Sequence, residues 1–288
     1  LSEHKTTVWN AASIFPAANA APGQEAAVDH GDDQDYAEFV QYFRSTTGID
    51  LSQYKETQMR RRLSTLRLKN GYSTFASYSK AMSSNSALLD EMLDRMTINV
   101  SEFWRNPLRW DTLRTRVLPE LSARTQHVKC WSAACSTGEE PYTLAMILDD
   151  LGLLDRTELT ATDIDENALG RAQQAIYVER SLKDVPSSFK SRYFTQQVNS
   201  FHIIDRLKKA IHFRKQNLLT DLFATQHDLI ICRNVMIYFT EEAKHELYRK
   251  FADSLKPGGV LFVGSTEQIF NPQQYHLETI ETFFYRKL

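Results

Sequence analysis

Cysteine is scarce in this chain: 288 residues hold three, Cys130, Cys135 and Cys232. Their spacing matches no metal-ligand pattern, and any one disulfide would leave a third thiol over, so no metal and a reducing cytoplasm are expected. Long apolar runs are missing too. No stretch approaches the roughly 18 residues of a membrane-spanning helix, so no membrane insertion is expected. Neither sign of charge dominates: 34 basic and 36 acidic residues leave −2, which points to neither nucleic acid nor a membrane surface as partner. The start, Leu1-Ser-Glu-His-Lys5, lacks a basic stretch followed by an apolar one, so no secretory signal is expected, and without an initiator Met it reads as a truncated or processed chain.

What is present falls into three stretches. Residues 1–34 are rich in Ala, Pro, Gly and Asp and read as a tail or linker, with Trp9, Ile14 and Phe15 as its main apolar surface. Residues 35–105 read as a helical domain: Tyr36, Phe39, Val40 and Phe43 recur at helix spacing, as do Met59, Leu63 and Leu66, then Leu88, Leu89, Met92, Leu93 and Met96. Gly48 and Gly71 punctuate it, and Asp50 with Ser52 is expected to cap the helix after the first. Residues 106–288 switch to alternating strands and helices, with apolar runs near 128–133, 159–163, 228–232 and 259–264. That alternation predicts a doubly wound α/β fold on a mainly parallel sheet. Near 192–217 three short extended stretches surround a basic helical turn, which predicts a small antiparallel β insertion. Residues 281–287 read as an antiparallel strand returning beside the sheet.

The segment Val128–Leu148 carries the strongest local signal. An apolar strand runs into the small-residue loop Ser132–Gly138, then into an amphipathic helix with Pro141 in its first turn and Tyr142, Ala145 and Met146 facing the sheet. Such a junction builds nucleotide sites at the carboxyl ends of parallel strands, and small residues there are expected to let a ligand approach the backbone. A second strand ends in Asp163, 25 residues after Gly138, the spacing of an acid that accepts ribose hydroxyls. The loop has no G-x-G-x-x-G, and Glu139 and Glu140 stand where a pyrophosphate would be repelled. A cationic adenosyl cofactor, S-adenosylmethionine, fits those carboxylates better. A third run, Asp228–Cys232, reads as a buried strand emptying into Arg233, Asn234 and Tyr238, which makes those three site candidates.

Taken together, five segments resemble the CheR family of bacterial chemotaxis receptor glutamate O-methyltransferases. They are Thr97–Arg105, Trp131–Tyr142, Ala161–Asp165, Gln216–Leu219 and Cys232–Phe239, and the likeness extends over nearly everything from 35 to 288. The resemblance implies a methyltransferase fold with an N-terminal helical domain, S-adenosylmethionine as cofactor and S-adenosylhomocysteine as product. It implies that Asn99, Ser101 and Arg105 reach the cofactor from the helical domain, that Glu140 meets it at the loop and Asp163 at the ribose. It further implies that Asn217 and Leu218 flank the adenine, that Arg233 and Asn234 line the remaining pocket, and that Arg105 and Tyr238 position the substrate. Whether Arg105 serves substrate or cofactor stays open at this level.

A protein substrate needs a surface, and Lys55–Lys69 offers one. Six basic residues, Lys55, Arg60, Arg61, Arg62, Arg67 and Lys69, accompany a single acid. With Met59, Leu63 and Leu66 inward, Lys55, Arg62 and Lys69 fall on one flank and Arg60 and Arg67 on the other. Such a helix suits the glutamate-rich helical bundle of a cytoplasmic chemoreceptor domain, the partner the resemblance implies, with recruitment to receptor arrays. The insertion lacks the glycine-rich loop of members that bind a receptor's C-terminal peptide, so a tether-independent enzyme is expected; a monomer is expected as well. Two alternatives stand beside this reading: a nucleic-acid methyltransferase that uses the basic helix on phosphates, and a non-catalytic module that senses the cofactor.

Overall fold

The computed structural model describes residues 30–288 other than 98 and 100. Most of the expected tail, including Trp9, Ile14 and Phe15, therefore lies outside the described residues. Its last five positions already belong to helix α1 (His30–Thr47), which is followed by α2 (Glu56–Lys69), α3 (Phe75–Ser84) and α4 (Ser86–Met96). Tyr36, Phe39 and Phe43 of α1 are buried against Phe75 and Tyr78 of α3 and against Met59, Leu63 and Leu66 of α2. The Phe39 and Phe75 rings lie 4.7 Å apart, and each such buried aromatic contributes about 2–3 kcal/mol. Asp50 does cap, but it caps a single 3-10 turn, Leu51–Gln53, by accepting from Ser52 N; α2 starts later, at Glu56, without a side-chain cap.

The remainder is α/β. Helices α5 (Pro107–Thr112) and α6 (Leu118–Arg124) flank one π-helical turn and lead into β1 (Val128–Ala133). Then come α7 (Glu139–Asp150), β2 (Thr157–Asp163), α8 (Glu166–Gln174), β3 (Ile176–Tyr177), α9 (Ser187–Tyr193), β4 (Phe194–Gln197) and β5 (Ser200–Ile203). The chain continues through α10 (Asp205–Lys209), β6 (Ile211–Lys215), β7 (His227–Cys232), α11 (Glu241–Ser254), β8 (Leu255–Val263), β9 (Leu277–Glu281) and β10 (Phe284–Lys287). Seven strands form one sheet in the order β6-β2-β1-β7-β8-β10-β9, parallel from β6 to β8, with β10 antiparallel to its two neighbours as the sequence reading expects for the chain end. Strand order reverses between β1 and β7, which places a crevice at their carboxyl ends.

Both sheet faces are covered. Cys130, Leu229 and Ile231 point to the side packed by α5, α6 and α7, whereas Trp131, Ile230 and Cys232 point to the side packed by Leu247 and Phe251 of α11. The antiparallel insertion exists, but its bounds differ from the expected 192–217. It is a three-stranded sheet, β3-β5-β4, that begins at Ile176, and Ile211–Phe213 is not part of it. Those residues belong to β6, paired with β2 from Ile211 against Leu159 to Lys215 against Asp163. A five-residue strand with alternating burial reads alike in either sheet, and only the pairing partner distinguishes them.

Two of the basic residues assigned to docking are instead spent on the helical core. Arg67 is buried, its guanidinium 3.5 Å from Asp35 and 4.5 Å above the Phe75 ring. Asp35 in turn accepts from the first amides of α3, Phe75 N at 2.6 Å and Ala76 N at 2.8 Å. Arg60 forks across Asp32 and Asp33 at 2.8 and 2.6 Å and covers Tyr36. Arg67→Ala is expected to lower unfolding stability by about 2–3 kcal/mol, because it strands a half-shielded carboxylate. Arg61→Ala, at an exposed position of the same helix, is expected to cost less than about 0.5 kcal/mol. Urea melts of the two variants check this, and equal costs would return Arg67 to the surface.

Candidate active site

The carboxyl ends of β1, β2 and β7 open into a cleft roofed by the end of α4 and the segment that follows it. Asn99, Ser101, Arg105, Glu140, Asp163, Asn217, Leu218, Arg233, Asn234 and Tyr238, the ten residues expected at the cofactor or the chemistry, all line it. Sequence reading missed Tyr54 and Gln216, which line it as well.

Acids organise the loops around the cleft. Asp163, at the end of β2, accepts Ser136 N on one carboxylate oxygen at 2.7 Å and Asp165 N on the other at 3.0 Å. Ile164 N adds a third backbone bond, which still leaves the carboxylate a lone pair for a further donor. Burial pushes its carboxyl above the ordinary range, against the pull of those backbone bonds. The β1 loop itself is bent through two left-handed non-glycine residues, Ala134 at φ 60° and Ser136 at φ 48°, conformations that persist only when the surroundings over-determine them. Gly138 has a different task from the one expected. At φ 95° it is the left-handed entry to α7, and a Cβ there would lie 2.9 Å from Ala172 Cβ and 2.9 Å from the Tyr177 hydroxyl. Its missing side chain makes room for α8 and β3, not for a ligand.

The helical domain is latched to the cleft by Asp165. This residue caps α8 through Ala168 N at 3.0 Å with one oxygen. Its other oxygen accepts the Thr97 hydroxyl at 2.9 Å and the Asn99 amide at 2.7 Å. Asn99 then accepts the Ser136 hydroxyl at 2.8 Å, so its polar atoms bind the cleft wall together rather than standing open in it. The Asp–x–x–Ala start of a helix was a readable capping signal for Asp165. The tie to Thr97 and Asn99 was not.

Arg233 and Glu140 form the deep wall. Arg233 Nη2 donates to the Arg105 carbonyl at 2.8 Å and to Asn106 Oδ1 at 3.0 Å, while its guanidinium covers Phe262 and Trp110 at 4.8 and 5.3 Å. It therefore fixes the backbone from which Arg105 projects. Glu140 lies 3.7 Å from Arg233 Nη1 and accepts the Ser132 hydroxyl at 2.9 Å. Burial dominates these partners and pushes its carboxyl up to about 7. Neighbouring Glu139, also raised by burial, accepts the Thr137 hydroxyl at 2.6 Å and a bond from Ser101.

Glu267 is a residue the sequence reading overlooked. Buried just beyond β8, it accepts Asn234 N at 2.6 Å, Met236 N at 2.7 Å and Gly264 N at 2.9 Å. One carboxylate thereby shapes the whole turn after β7, including Asn234 at φ 61°, and delivers Tyr238 to the cleft. Its sequence signal was slight, an acid three residues after a glycine at a strand end. From the helical side, Lys55 N donates to the Tyr238 carbonyl at 2.9 Å, and the Arg62 guanidinium lies 5.6 Å from the Tyr238 ring centre.

Of the six basic residues expected to dock a partner, then, Arg67 is core, Arg60 is held by two aspartates and Arg62 faces the cleft wall. Lys69 is exposed but pairs with Glu91 at 3.0 Å. Arg61, Arg62 and Lys69 line a groove between α2 and α4 together with Arg95, a basic residue the sequence reading did not select. Lys55 sits beside the Tyr238 turn at the start of α2.

The raised Glu140 carboxyl has a consequence for stability. The unfolded chain ionises near the ordinary 4.5 and the folded one near 7, so the protonated fold is favoured below 4.5 and stability is lost as pH rises between those values. Glu140→Gln removes that titration. The fall in unfolding free energy from pH 5 to pH 8 is expected to shrink by about 2 kcal/mol relative to the parent. An unchanged slope in denaturant titrations would refute the assignment.

The chain matches known families along both of its domains. Residues 34–97 match the family model of the CheR methyltransferase all-alpha domain, and residues 99–284 match that of the CheR methyltransferase SAM binding domain. The chain is similar to the chemotaxis protein methyltransferase of Listeria monocytogenes, at 43% identity over 256 residues, 88% of this chain and 98% of that one. It is also similar to the protein of that name from Borreliella burgdorferi, at 35% identity over 254 residues, 83% and 89% of the two chains. Nothing in these matches supports the nucleic-acid or non-catalytic alternatives. The donor set fits the cofactor they name, since a carboxylate with a spare lone pair, apolar walls from Ile164, Leu218 and Phe239, and a deep acid suit a ribose, a base and a cationic group. The chain belongs to the CheR methyltransferase family, and its cleft is that of an S-adenosylmethionine-dependent methyltransferase.

Proposed function

We propose that this protein methylates glutamate side chains of bacterial chemoreceptors, forming γ-methyl esters and leaving S-adenosylhomocysteine. The observation that carries this reading is the meeting of Arg105, from the segment after α4, with Tyr238, from the turn after β7, in the same cleft as Asp163 and Glu140. The relatives' name, chemotaxis protein methyltransferase, supports a receptor as the substrate.

In this reading Asp163 holds the ribose hydroxyls, Asn217 and Leu218 flank the adenine, and Glu140 faces the cationic end of the cofactor. Asn99, Ser101, Arg233 and Asn234 complete the walls. Bound S-adenosylmethionine supplies a methyl group activated by its sulfonium. A glutamate carboxylate is ionised at neutral pH and is itself the nucleophile, so the chain need not provide a strong base. What the chain contributes is alignment, which alone accounts for much of the acceleration in such transfers. Arg105 can hold the substrate carboxylate through two parallel hydrogen bonds, and the Tyr238 hydroxyl can fix one remaining lone pair. Glu140 offsets part of the positive charge of Arg233, which keeps that end of the cleft hospitable to a cation.

The helical unit, residues 35–105, supplies the docking surface, reduced from all of α2 to the groove of Arg61, Lys69 and Arg95 with Lys55 at the cleft's edge. An acidic receptor helix lying there brings its glutamates past Tyr238. The enzyme acts in the cytoplasm at receptor arrays, as a monomer, and needs no receptor C-terminal peptide on the β3-β5-β4 sheet.

Incubation with methyl-labelled cofactor and chemoreceptor membranes is expected to label receptors, and mild base is expected to release the label. Label that survives base would rule out an ester. Asp163→Ala is expected to weaken cofactor binding at least tenfold by calorimetry, and unchanged affinity would remove Asp163 from the ribose.

A further inference from the structure

Arg62 lies on the docking helix yet does not behave as a docking residue. It lines the basic groove, but its Nη1 donates at 2.8 Å to the carbonyl of Met96, the last residue of α4, and its guanidinium faces the Tyr238 ring. Met96 and Tyr238 both line the cleft. Arg62 therefore forms the partition between groove and cleft. A guanidinium bonded to a helix-terminal carbonyl and seated over an aromatic face has little freedom to follow a passing carboxylate. Around it the helical domain also grips the tyrosine's backbone. Lys55 N donates to the Tyr238 carbonyl at 2.9 Å, Thr240 N donates to the Gln53 carbonyl at 2.9 Å, and Tyr54 bridges Phe239 with rings 5.1 Å apart.

We propose that Arg62 is a positioning residue for Tyr238, which it holds from within the docking helix at the angle the reaction needs, and is not an ion-pairing contact to the receptor. The proposal rests on the receptor-methylation reading for its kinetic part alone. The guanidinium braces the ring on one side while Glu267 shapes the turn from the other, so the phenol is fixed between two domains. A helix seated in the groove would lie directly against this brace.

The test is steady-state methylation of receptor membranes by the full chain. Arg62→Met, which keeps length but removes both the hydrogen bond and the cation, is expected to lower kcat about tenfold and to change KM for the receptor less than twofold. Arg61→Ala, the contrasting groove residue, is expected to raise KM more than it lowers kcat. In a Tyr238→Ala background Arg62→Met is expected to add less than a further twofold loss, because the group it positions is already gone. A raised KM with kcat preserved, or full multiplicative losses in the double variant, would overturn the proposal. If Arg62→Met fails to fold, Arg62→Lys is read by the same split. A receptor-independent readout separates this idea from the function itself: in 3-fluorotyrosine-labelled protein the Tyr238 resonance, assigned with Tyr238→Phe, is expected to move in Arg62→Met. If receptors are never labelled yet that resonance moves, the functional reading fails and the positioning stands. An unmoved resonance defeats the positioning.

Discussion

The Asp165 carboxylate is the interaction on which the site depends. It caps α8 with one oxygen and with the other holds Thr97 and Asn99, polar residues just after α4. Together with the backbone bonds from Lys55 N to the Tyr238 carbonyl and from Thr240 N to the Gln53 carbonyl, it ties the four N-terminal helices to the α/β domain. With it, Asn99 is carried to Ser136, the roof closes over β1 and β2, and Ser101, Glu102 and Arg105 fall on the same cleft as Asp163. Burial of a carboxylate is unfavourable unless its lone pairs are met, and here three donors from two domains meet them. The same saturation draws Asp165 below the ordinary carboxyl range despite its burial.

This use of acids recurs around the cleft. Asp163 organises the β1 loop, Glu267 the turn after β7 and Asp35 the start of α3, each by accepting backbone amides that a turn would otherwise leave unpaired. The left-handed residues Ala134, Ser136 and Asn234 sit beside these acids. Strain of that kind is tolerable where fixed acceptors pin the peptide on both sides, and it lets short loops turn side chains into a narrow space. Arginines play the complementary part. Arg233 holds the carbonyl of Arg105, and Arg62 the carbonyl at the end of α4, so two of the basic residues near the chemistry are spent on placing the backbone.

Along α2 the apolar and the basic residues differ in how far local spacing fixes their surroundings. The spacing of Met59, Leu63 and Leu66 gives the buried stripe correctly, since apolar side chains have one favourable destination. Arginine has several. Its long stem lies along apolar surface while the guanidinium seeks an acceptor, and that acceptor comes from distant sequence: Asp35 for Arg67, Asp32 and Asp33 for Arg60, the Met96 carbonyl for Arg62. Arg95 joins the groove for the same reason, because α4 packs beside α2.

By itself the amino-acid sequence determined the alternation of strands and helices after residue 106, the strand-loop-helix at Val128–Leu148, the acid ending β2 and the family, because each depends on local periodicity or on short motifs in a set order. Those motifs also named the ten cleft residues. Tertiary structure alone decided that Ile211–Lys215 edges the main sheet, that Gly138 is small for the sake of Ala172 and Tyr177, and that Glu267 builds the Tyr238 turn. It decided as well which arginines line the groove between α2 and α4. The physical reason is common to all four: strand-pairing, packing and hydrogen-bond partners far along the chain fix the outcome, and nothing in a residue's own neighbourhood encodes which distant group will reach it.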